Sequence, residues 1–193
     1  NQRMDAALTT LDRNSTPPDE HEIKYVPAKH LLQVTSVFQP RETAKTDRAH
    51  VNTLAKNLKE KSALDPIYVI PVETNPGAVE RARQTHPELP WFGLGTQQFY
   101  VVVDGHHRLA AYKVRHGKAA TVKVKVLPEA PTKAALRSGV ANTKAKKPMS
   151  ERERSEYAWR LTCAFGNDGR RLYSAKQVAN AASVQQRTVK KMR

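Results

Sequence analysis

The chain of 193 residues holds a single cysteine, Cys163. That excludes an internal disulfide framework and a zinc site built from several thiolates. Long apolar runs are also missing. The greasiest stretches, Ile67-Tyr-Val-Ile70 and Phe99-Tyr-Val-Val-Val103, have the length of buried strands and fall far short of the ~18 residues a spanning helix needs. The first residues, Asn1-Gln-Arg-Met4, show no basic stretch leading into an apolar one. The expected location is therefore the cytoplasm, with no membrane partner. Acidic residues are scarce too: 18 Asp and Glu stand against 33 Lys and Arg, a formal net charge of +15.

That charge is unevenly spread. Residues 133–193 carry fifteen Lys/Arg and four Asp/Glu, a net of +11, and residues 1–132 carry only +4. A basic block of this size points to a polyanion, because each neutralised phosphate releases condensed counterions. A solvated basic helical surface is the plainer alternative.

Residues 1–21 show little periodicity beyond a short helical stretch near Ala6–Leu11 and are expected to form a mobile arm. Ile23–Pro27 reads as a first strand, and Leu31–Val37 leads into Phe38-Gln-Pro-Arg41. From Asp47 to Leu64 the apolar positions follow helical spacing, with Thr46 or Asp47 able to cap the start. Strands are expected at Ile67–Val72, Gln98–Val103 and Thr121–Leu127, the last alternating valine with lysine. A helix over His106–His116 is expected to end at Gly117. Residues 73–97 read as a long irregular excursion, in which Pro90-Trp-Phe92 is expected to cover the edge of the core, with a contact surface for an adaptor as the weaker alternative. After Pro128 and Pro131 everything is helical in pattern, at 133–141, 150–165, 175–182 and 185–193. The order predicts an α+β domain at 22–130 followed by an all-α domain at 131–193.

At Asp104-Gly-His-His-Arg108 a strand gives way to a helix through glycine. Gly105 lets a ligand approach the backbone, and the first helical amides lack internal partners and point outward. Arg108 adds a charged fork suited to phosphate oxygens. His107 can share a hydrogen bond, and Asp104 can orient an imidazole or hold a metal-bound phosphate. Of two successive histidines, one is expected to pack inward and the other to face a ligand. The competing explanation is a tight turn with Arg108 paired to a carboxylate elsewhere in the chain.

Phe38-Gln-Pro-Arg41, the helix at 47–64, the Pro66-Ile-Tyr-Val69 strand and Val103-Asp-Gly-His-His-Arg-Leu-Ala-Ala111 follow one another as in the ParB/sulfiredoxin superfamily, which this chain resembles over about residues 23–127. The resemblance implies a small mixed-sheet domain of that fold. It also implies nucleotide binding, CTP or ATP with Mg2+, at Gln39, Arg41, Gly105, His106, His107, Arg108 and Asn142. Where ParB-like proteins carry Gly-Glu-Arg-Arg, this chain has Gly105-His-His-Arg108, and Ala141-Asn142 stands where the family has Glu-Asn. Sulfiredoxin-like reduction is excluded, since His106 occupies the place of the nucleophilic cysteine. Asp-Gly-His-His-Arg is also similar to serine kinases and nucleases of the same fold. In such a nuclease, phosphotransferase or NTPase, Asp104 and His107 would be the catalytic residues. Glu42 is the other carboxylate near the cradle. No His/Asp/Glu set has metal-ligand spacing, so binding is favoured over catalysis and no metal ligand is assigned.

Residues 174–193 have the layout of a helix-turn-helix. Val178, Ala179 and Ala182 would pack, Ala182-Ser-Val184 would turn, and Val189 and Met192 would face inward. Lys176, Gln185, Gln186, Arg187, Thr188, Lys190 and Lys191 would then meet double-stranded DNA. A helix pair serving packing alone is the other possibility. Tyr157, Trp159 and Phe165 are expected in the helical core. The resulting expectation is a ParB-like DNA-binding protein whose nucleotide modulates DNA binding, in plasmid or chromosome partition or in transcription regulation. It would form a homodimer through segments outside these residues.

Overall fold

The computed structural model describes residues 4, 7, 8, 11, 12, 15, 17–38, 48–61, 63–72, 98–117, 119–143, 149–166 and 168–193, with the backbone alone at 36, 61 and 141–143. Five strands form one mixed sheet: β1 (Glu22–Pro27), β2 (Leu31–Leu32), β3 (Ile67–Val72), β4 (Phe99–Asp104) and β5 (Thr121–Val126), in the order β1-β5-β3-β4-β2. β1 pairs antiparallel with β5, β5 parallel with β3, β3 antiparallel with β4, and β4 parallel with β2. The helices are α1 (Thr35–Phe38), α2 (Arg48–Lys61), α3 (His106–His116), α4 (Pro131–Thr143), α5 (Glu151–Thr162), α6 (Ala175–Ala182) and α7 (Gln186–Lys191). No described helix is long and apolar enough to cross a membrane.

The strands form where valine and isoleucine crowd the sequence, since branched side chains suit a pleated surface. On β5 the alternation is clean: Val122, Val124 and Val126 are buried, while Thr121, Lys123 and Lys125 are not. Burying each such valine contributes about 2 kcal/mol. These valines join Ile67, Val69 and Val102 beneath Leu58 of α2 and Leu109 and Tyr112 of α3, which form the first core.

The opposite face is finished by the helices that follow β5. Leu32, Ile70, Val72, Phe99, Val101 and Val103 share one core with Ala134, Tyr157, Leu161, Val178, Ala182 and Val189. Hydrophobic contact therefore crosses the boundary expected near residue 130. Gly139 of α4 permits the closest approach: a Cβ there would clash with the Tyr157 ring and lie 2.5 Å from the Ala181 carbonyl oxygen.

The mobile arm expected over 1–21 is corrected at its described apolar positions. Met4, Ala7, Leu8 and Leu11 are buried in the second core, because their helical spacing gives one apolar stripe that the sheet and helices cover. The expected core position of two aromatics is also corrected. Tyr157 is fully buried and donates its hydroxyl to the Ala135 carbonyl at 2.5 Å. Trp159 and Phe165 are 41% and 38% exposed, and Phe165 lies under the Arg171 guanidinium at 4.9 Å. The excursion at 73–97, with Pro90-Trp-Phe92, and the proposed cap at 46–47 lie outside the described residues.

Candidate functional site

β2 and β4 run parallel, so the residues that follow each emerge at the same edge of the sheet. β3 runs against β4, so its start meets the same end. This topology gathers Gln33, the Asp65-Pro66 segment and the Asp104–Arg108 junction, although they are distant in sequence.

Gly105 turns the chain from β4 into α3 with φ 105°, a conformation L side chains rarely adopt. A Cβ there would also stand 3.1 Å from Arg108 Nε and 3.2 Å from Ile67 Cγ1. No side chain caps α3 at this glycine, so its first amides keep the outward orientation that suits an anion. The helix ends at Gly117 as expected, with φ 75° but an extended ψ of −173° instead of a left-handed helical one, and the Gly117 N–H donates to the Lys113 carbonyl.

Arg108 is committed within the chain. Its Nη2 meets Asp104 Oδ2 at 2.8 Å, and its Nη1 donates to the carbonyls of Asp65 at 3.1 Å and Pro66 at 2.5 Å. The guanidinium thus straps the β4–α3 turn to the start of β3. Asp104 is half-exposed, with its carboxylate in that ion pair. The arginine is paired, though with Asp104 of its own turn and not with a carboxylate elsewhere in the chain.

Of the two histidines, one packs inward as expected. His106 is buried, and its Nδ1 accepts from Gln33 Nε2 at 3.2 Å. Burial pushes its pKa down to about 4, outweighing the nearby Asp104 carboxylate. With Nδ1 accepting, the neutral ring carries its proton on Nε2, and an interaction with the Phe38 backbone joins Asp104 in opposing the effect of burial. His107 is half-buried and turns toward α2, its ring edge-on to His50 at 5.2 Å between centroids. Gln39, Arg41, Glu42 and the Asn142 side chain lie outside the described residues. Among the described residues no group of three or more His, Cys, Asp or Glu is placed to hold a metal.

Sequence reasoning missed Gln33 and the 65–66 carbonyls. They approach the junction only through strand pairing, and no local pattern marks them.

The second candidate surface lies at the end of the chain. Ser174 caps α6, accepting from the Gln177 N–H at 3.2 Å, and its own N–H donates to Gln177 Oε1 at 2.8 Å. Ser183 ends α6 in the left-handed region, φ 52° and ψ 49°, and the Val184 N–H returns to the Ala179 carbonyl. Val178, Ala182 and Val189 are fully buried. Lys176, Gln185, Gln186, Arg187, Lys190 and Lys191 are all exposed. Thr188, expected among the outward residues, is half-buried, one position before the fully buried Val189. Compared with known protein families and with curated protein sequences, the chain matches none.

Proposed function

We propose that the protein binds double-stranded DNA through residues 174–193 acting as a helix-turn-helix, in the manner of ParB-like proteins. One observation carries the reading: α6 and α7 bury their apolar residues while Lys176, Gln185, Gln186, Arg187, Lys190 and Lys191 stay in solvent. Glutamine and arginine can read base edges in a major groove, and the lysines neutralise phosphates. The net charge of +11 over residues 133–193 supports the same partner.

The test is a fluorescence-anisotropy titration with duplex DNA across a salt series. Arg187→Ala with Lys190→Ala should weaken binding about tenfold and lower the salt slope by roughly 2. Unchanged affinity and slope would remove α7 from the interface.

The α3 N-terminus gives a second, subordinate part to this proposal. A nucleotide phosphate, from CTP or ATP with Mg2+, would meet the uncapped amides after Gly105 and would compete with Asp104 for Arg108. Such competition offers a route by which nucleotide modulates DNA binding in partition or transcription regulation. A kinase or nuclease reaction is less well supported, because the Asp104 carboxylate is already paired with Arg108. Thermal shift with CTP and ATP, with and without Mg2+ and duplex, checks this part.

A further inference from the structure

β1 is the terminal strand of the sheet, and among the described residues nothing pairs with its outer edge. Native sheets blunt such edges with charge, bulges or cover. Here the blunting is incomplete. On the face that carries Lys123 and Lys125, Ile23 is 51% and Tyr25 69% exposed. On the other face Glu22 and Lys24 alternate, joined by an ion pair of 2.6 Å, with both side chains close to half-exposed.

The alternation is self-complementary. In an antiparallel pair, residues directly opposite share a face. If a second β1 runs antiparallel with Ile23 opposite the partner's Ile23, Glu22 falls opposite the partner's Lys24. Lys24 then falls opposite the partner's Glu22, and the two isoleucines cover each other. Both ion pairs are attractive, and the same patch serves both copies, as a two-fold interface requires. A nucleic-acid strand along this edge would instead meet the Glu22 carboxylate.

We infer that β1 is a self-association edge, joining two copies through antiparallel β1 pairing with Glu22 against the partner's Lys24. A ladder this short buries less than the ~1,200 Å² of a stable interface, so the association is weak and concentration-dependent.

Sedimentation equilibrium of the whole chain over a series reaching high-micromolar concentration tests the inference. The wild type should show a monomer–dimer equilibrium. Glu22→Lys should weaken it about tenfold, since like charges would then face each other twice. The double variant Glu22→Lys with Lys24→Glu should restore it, because the swapped pairs are again opposite in sign. Ile23→Cys should form a covalent dimer on mild oxidation. A wild type monomeric throughout overturns the inference, as does a double variant no better than the single one. Capture of a single-stranded oligonucleotide by a monomer, lost in Tyr25→Ala, would reassign the strip to nucleic acid and also overturn it. Glu22 and Lys24 lie on the face of Val124 and Val126, so a circular dichroism spectrum of each variant, matching that of the wild type, keeps loss of folding apart from loss of association.

Discussion

Desolvation holds the His106 imidazole neutral, with its pKa lowered to about 4, so the unfolded chain takes up a proton where the folded chain does not. Stability is therefore full above the ordinary value of 6.5 and falls as pH drops toward 4, below which this group costs nothing further. The gap between those values corresponds to roughly 3 kcal/mol. Urea unfolding of wild type and His106→Gln at pH 7 and pH 4.5 should show the variant losing less stability over that interval. Equal losses would mean the folded ring is already protonated. Which histidine would be buried was not readable from the two adjacent letters. His106 is inward because β2 brings Gln33 beside it, whereas His107, one residue on, is turned toward α2. Arg108 was legible as a charged fork but not as a strap, since its partners at Asp65 and Pro66 depend on β3 running against β4.

At the scale of elements, the turn between α6 and α7 is set by one residue in an unusual backbone conformation. Ser183 is the only non-glycine with positive φ among the described residues. A side chain there costs about 1 kcal/mol, and glycine removes that cost while raising the entropy of the unfolded chain. Ser183→Gly should raise stability by about 0.5 kcal/mol, and Ser183→Val should lower it by about 1–2 kcal/mol, measured by thermal unfolding. If valine is tolerated as well as glycine, the turn is not left-handed. Elements with a strong local signature were legible to the residue. The strand at 67–72 and the helices at 106–116 and 175–182 follow from apolar spacing bounded by Asp65-Pro66, Gly105, Gly117 and Ser174. The last helix was read too long, since it ends at Lys191 without a capping side chain to mark it. The buried stripe Met4–Leu11 was underread because its polar neighbours hide a period that only the tertiary cover makes useful.

Across the whole molecule the sheet is a shared wall rather than the property of one half. Prolines 128 and 131 do mark the change from strands to helices, and sequence composition stops there. The second core does not stop there. It runs from Phe99, Val101 and Val103 through Tyr157 to Val178 and Val189. A fragment of residues 1–130 would expose that entire apolar face, so it should show no cooperative thermal transition by circular dichroism. A sharp transition near that of the whole chain would mean the halves fold separately.

This common wall also bears on how such a protein can change over generations. A gene rearrangement that joined residues 131–193 to a foreign sheet would strand oily surface on both pieces. Swapping that helical end by recombination is therefore closed to this lineage unless the sheet side travels too. Point changes on the exposed outer surfaces of the last two helices, by contrast, leave the shared core untouched.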